Sequence, residues 1–118
     1  MTALLIRRGY LVYRPEADVG GEDLVLRLPD ERLAAVQLKS RMTVDWNRYG
    51  GKGMWMLFPD QPWNSLTRRC WFLVPHDELF EFLNENHGHT KSFADKRWSA
   101  IRPSKAALLF LEDFKLDD

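Results

Sequence analysis

The chain has 118 residues, 45% hydrophobic and 13% aromatic, with seventeen Lys/Arg balanced by seventeen Asp/Glu. That length is one domain's worth, and the apolar content supplies a packed core and excludes a disordered chain. A formal net charge of zero excludes a globally basic nucleic-acid binder and leaves room only for a local basic surface. The lone Cys70 forms no internal disulfide, and its apolar surroundings, Trp71-Phe72-Leu73-Val74, predict a buried, inert thiol in a reducing compartment. No apolar run is long enough to cross a bilayer, and Ala3-Leu4-Leu5-Ile6 is too short, and wrongly flanked by Arg7-Arg8, for a signal peptide. The expectation is a cytoplasmic protein with no membrane segment.

Residues 2–8 read as the end of a helix stopped by Gly9. Tyr10-Leu11-Val12-Tyr13-Arg14 is aromatic and β-branched and predicts a strand, followed by a turn over residues 15–22 in which Gly20-Gly21 supplies permissive backbone. Residues 23–28 form the next strand, with Leu24, Leu26 and Leu28 on one face and Asp23, Val25 and Arg27 on the other. Pro29-Asp30-Glu31-Arg32 is a polar reversal, so residues 33–40 return as the antiparallel partner of a hairpin. Residues 41–53 hold Trp46 and Tyr49 among polar and glycine residues and read as a mobile loop. Met54-Trp55-Met56-Leu57-Phe58 and residues 70–74 are buried strands, separated by a loop.

After Pro75, a helix over residues 77–86 carries Leu79, Phe80, Phe82 and Leu83 as its apolar stripe, with Asp77 and Glu78 complementing its dipole. His87-Gly88-His89 breaks it. A last helix starts near Pro103-Ser104 and carries Ala107, Leu108, Leu111 and Phe114 on one side. With no repeat, low-complexity tract or linker, residues 1–118 are expected to form one α/β domain. Its architecture is a single mixed sheet of about five strands flanked by helices.

Chemistry concentrates on the third strand. Alternation puts Gln37 and Lys39 on one face and Val36 and Leu38 on the other, and the hairpin offers a route for Asp23 to approach both polar residues. Such a set suits phosphodiester hydrolysis. Asp23, the Gln37 side-chain oxygen and the Leu38 peptide carbonyl are oxygen donors for Mg²⁺ or Mn²⁺, and Lys39 is placed to orient water or stabilise charge on phosphorus. Against this stands a plain alternative, a solvated strand face with turn chemistry at Asp23.

Three segments carry a resemblance: Gly9-Tyr10-Leu11-Val12-Tyr13-Arg14-Pro15, Gly20-Gly21-Glu22-Asp23-Leu24-Val25-Leu26 and Val36-Gln37-Leu38-Lys39-Ser40-Arg41. Together they are similar to the core of the PD-(D/E)XK nuclease superfamily, which includes restriction endonucleases and Holliday-junction resolvases. Asp23 matches the acid that opens one strand and Lys39 the lysine of the next. Gln37 stands where the family usually has Glu or Asp, although some members carry Gln. The acid many members place on the helix before the first strand has no counterpart in residues 2–8. The resemblance implies a restriction-endonuclease-like fold and a metal-dependent DNA endonuclease acting on branched or duplex DNA, with a second copy of the chain as its partner in a homodimer. The alternative is a nuclease-fold protein, weak or inactive in catalysis, that binds nucleic acid or a protein partner; an unrelated α/β interaction domain is the third reading.

Other candidates have two readings each. Asp18 and Glu22 are either further metal ligands or solvated turn residues. Arg41 either meets a phosphate or ends a strand in solvent. Arg48 and Lys52, interleaved with Trp46 and Tyr49, either contact a nucleic-acid strand or belong to a loop whose aromatics pack back on the sheet. His87-x-His89 lacks nearby acidic or thiol ligands and reads as a helix-ending loop.

Overall fold

A computed structural model describes residues 11–13, 24–28, 30–61 and 70–116. The segment 2–8, the turn at 15–22 with Asp18 and Glu22, and Asp23 lie outside the described residues. The chain is an α/β domain. A six-stranded sheet runs in the order β1 (Leu11–Tyr13), β2 (Leu24–Arg27), β3 (Leu33–Leu38), β5 (Trp55–Pro59), β6 (Trp71–Pro75), β8 (Lys115–Leu116). A separate two-stranded ladder joins β4 (Met42–Asp45) to β7 (Arg97–Ala100). The sheet is mixed as expected, but it is accompanied by this second ladder.

The expected hairpin is present. β2 and β3 are antiparallel, with Leu24 opposite Val36 and Arg27 opposite Leu33. The reversal between them closes through Leu28 N–H to the Arg32 carbonyl at 2.8 Å, and Glu31 takes a positive φ of 73°. β3 then pairs parallel with β5, Gln37 opposite Met56. Parallel neighbours need a long crossover, and residues 39–54 supply it. That crossover corrects the mobile loop expected over 41–53. It contains β4 and a short helix α1 (Trp46–Tyr49), in which Asp45 caps by accepting the Arg48 backbone N–H at 3.3 Å. Met42, Val44 and Tyr49 are core residues. β4 was hidden in the sequence because its partner β7 lies more than fifty residues away.

Strand alternation divides the interior between the two faces of the sheet. On one face Leu26, Leu28, Ala34, Val36, Leu57 and Leu73 form a compact cluster. On the other, Met56, Phe58, Phe72 and Val74 pack beneath α2 (His76–His87) through Leu79 and Leu83, and beneath α3 (Lys105–Leu111) through Ala107 and Leu111. The two helical stripes were legible except at two positions. Leu108 is exposed rather than inward, and Phe114 sits in the 3-10 turn that follows α3. Cys70 is half-buried rather than sealed, packed against the core edge with its backbone N–H on Asp60 Oδ1 at 2.9 Å. No described helix is long and apolar enough to cross a membrane.

Candidate functional site

Lys39 follows the last residue of β3, and its backbone N–H still donates to the Leu57 carbonyl of β5 at 2.9 Å. That bond fixes the strand direction up to the site. Gln37 and Lys39 lie on the face of β3 that carries Ala35, which packs on the α2 side of the sheet. Two residues of strand separate the two side chains by roughly 7 Å along it. Gln37 is only 6% exposed, whereas Lys39 is partly open to solvent. The pair therefore differs from the open polar face that its residue types imply: the amide is set into the core and the ammonium reaches its rim.

Lys39 Nζ lies 5.4 Å from the centroid of the Tyr49 ring, and the Arg48 guanidinium lies at the same distance from that centroid. The electron-rich face of the phenol attracts both cations. Tyr49 itself is 2% exposed, so its ring is a fixed platform. The aromatics of this segment pack inward: Trp46 meets the Phe80 ring at a centroid distance of 4.9 Å. Arg48, Lys39 and Tyr49 line a cleft of about 510 Å³ between the end of β3, α1 and the β4–β7 ladder.

What holds this arrangement is a residue the sequence reading passed over. His76, the first residue of α2, is fully buried. Its Nε2 accepts the backbone N–H of Asp45 at 3.0 Å, and its Nδ1 lies 2.9 Å from Asp77 Oδ1. A nitrogen that accepts carries no proton, so Nδ1 bears the hydrogen and donates it to the Asp77 carboxylate. Asp77 in turn accepts the Gly51 N–H at 3.1 and 3.3 Å. One imidazole thus ties the start of α1, the turn after it and the first turn of α2. The ring is also enclosed by Tyr49 at 5.7 Å and Phe80 at 6.2 Å. With both nitrogens occupied, His76 positions the platform and has no free nitrogen for proton transfer. A His at the head of a helix, directly before Asp, was the available sequence signal.

The other candidates scatter. Arg41 is exposed in the β3–β4 turn, and its carbonyl accepts the Thr43 hydroxyl at 3.0 Å. Lys52 is exposed and donates to the Arg48 carbonyl at 2.9 Å. Neither lines the cleft. His87 stacks on Trp98 at a centroid distance of 4.3 Å and 7° between planes, consistent with a packing role.

The oxygen donors expected for a divalent cation fit only in part. The Gln37 amide and the Leu38 carbonyl are neutral, and no group of three or more His, Cys, Asp or Glu capable of holding a metal occurs among the described residues. Hard dications prefer carboxylate oxygen. The described residues alone therefore do not make a Mg²⁺ site; the expected carboxylate, Asp23, lies outside them, although its neighbour Leu24 opens β2 opposite Val36, the residue before Gln37. Set against known proteins, the chain matches no family model, no curated protein and no solved structure.

Proposed function

We propose that the chain is a metal-dependent DNA endonuclease of the PD-(D/E)XK type in which Lys39 meets the scissile phosphate. The observation that carries this reading is the placement of Lys39. It directly follows β3 beside the parallel strand β5, on the same face as Gln37, and it opens on a cleft that also holds Arg48. A lysine there stabilises the charge that develops on the phosphoryl oxygens. Hydrolysis in this reading also requires Mg²⁺ or Mn²⁺, with Asp23 contributing the carboxylate that the resemblance assigns to the metal.

The test is nicking of supercoiled plasmid and cleavage of branched DNA in the presence of Mg²⁺ or Mn²⁺. The wild type should cut, and Lys39→Ala and Asp23→Asn should not. Cleavage that survives in Lys39→Ala refutes the assignment. The burial of Gln37 and its neutral amide favour a second reading, binding of nucleic acid without hydrolysis. Gln37→Glu separates the two: a gain in Mn²⁺ affinity and cleavage identifies position 37 as a ligand position, whereas DNA binding with no cleavage in either form supports the binder.

A further inference from the structure

The β4–β7 ladder has two unlike faces. Met42 and Val44 are buried in the core, and Trp98 and Ala100 pack against it. Thr43, Asp45, Arg97 and Ser99 alternate with them and line the cleft. Across the ladder Thr43 pairs with Ser99, their hydroxyl oxygens 3.3 Å apart, and Asp45 pairs with Arg97. The opposite wall carries Lys39 and Arg48 over the Tyr49 ring.

Two cations drawn to one ring repel each other, and neither forms an ion pair among the described residues. Arg97 has a loose contact, 3.5 Å to the exposed Asp95. Asp45 is committed to the cap of α1. Lys39, Arg48 and Arg97 against Asp45 and Asp95 leave one net positive charge in the cleft. One phosphodiester carries one negative charge, and the adjacent hydroxyls offer hydrogen bonds to its oxygens. A terminal phosphate monoester, at about −1.5 to −2, would be left undercompensated. The volume of about 510 Å³ falls within the roughly 300–1,000 Å³ of small-ligand sites.

We infer that this cleft seats one phosphodiester of a nucleic-acid strand, the one that Lys39 meets, with Thr43, Arg97 and Ser99 as further contacts to it. The inference rests on the reading that Lys39 faces nucleic acid. It assigns to the ladder the task of holding the strand at that residue.

The test measures binding of a fluorescein-labelled DNA duplex and the matching single strand by anisotropy, in EDTA so that no cleavage occurs, over a series of salt concentrations. Arg97 is 63% exposed at its side chain, so Arg97→Gln leaves the fold intact. It should weaken binding several-fold and reduce the slope of log K against log salt by about one. The Thr43→Val, Ser99→Ala double variant should weaken binding with the slope unchanged. Arg32→Gln, in the β2–β3 turn, is the control and should do neither. An Arg97→Gln protein with wild-type affinity and slope overturns the inference, as does a cleft saturated by inorganic phosphate in a protein that fails to bind DNA. Loss of cleavage in Lys39→Ala beside unchanged binding in Arg97→Gln overturns this inference alone. Slope loss in Arg97→Gln without cleavage by the wild type upholds it and removes only the nuclease reading.

Discussion

Replacing His76 with Phe keeps a ring of similar outline in the core and deletes both of its hydrogen bonds. The Asp45 N–H then loses its acceptor, and a buried donor without a partner costs about 1–3 kcal/mol. The bond to Asp77 contributes about 1 kcal/mol more, although the carboxylate is partly exposed and keeps the Gly51 N–H. The ring contacts with Tyr49 and Phe80 persist, so little is lost in packing. The expected cost is about 2–4 kcal/mol, a large share of the roughly 5–15 kcal/mol that holds a domain together. Urea unfolding followed by tryptophan fluorescence should show a lower midpoint with an unchanged m-value. A loss below about 0.5 kcal/mol would refute the reasoning, because it would mean that neither bond contributes to the native state.

Gly50→Ala should destabilise by about 1–3 kcal/mol, since a Cβ there meets the Trp46 ring and the Trp46 carbonyl; thermal unfolding checks it. Tyr49→Phe should leave stability unchanged or raise it by up to about 1 kcal/mol, because the buried hydroxyl has no hydrogen-bond partner among the described residues; a loss above about 1.5 kcal/mol in urea would show that it has one. The Asp30 carboxyl is held below the ordinary aspartate range by the Arg32 backbone N–H, and further by the Arg32 guanidinium at 2.7 Å. Because the folded-state value is depressed, this contact's stabilisation is present above the unfolded-state value and is lost as pH falls through the folded one. An NMR titration of the Asp30 carboxyl should show the depression, and Arg32→Ala should reverse it only in part, since the backbone donor remains.

Much of the frame was legible in short-range pattern. Leu24, Leu26 and Leu28 alternating before a four-residue polar reversal gave the β2–β3 hairpin, because register and facing are local properties of adjacent strands. The stripe of Leu79 and Leu83 gave α2 in the same way. The misreadings share a cause. β4 looked like loop because Thr43, Asp45 and the following glycines mask its two core residues, and its ladder partner β7 comes from beyond α2. Leu108 looked inward because helical spacing gives a face, whereas the packing of α3 selects the narrower stripe of Ala107 and Leu111.

The sequence by itself determined the α/β class, the hairpin and the shared face of Gln37 and Lys39, since all three follow from the period of a strand or helix. Tertiary structure decided how those two side chains differ in exposure, that Arg48 joins Lys39 over Tyr49 while Arg41 and Lys52 do not line the cleft, and that His76 anchors the platform. These depend on which distant segments fold against one another. Period says which way a side chain points, and only the completed packing says what it meets there.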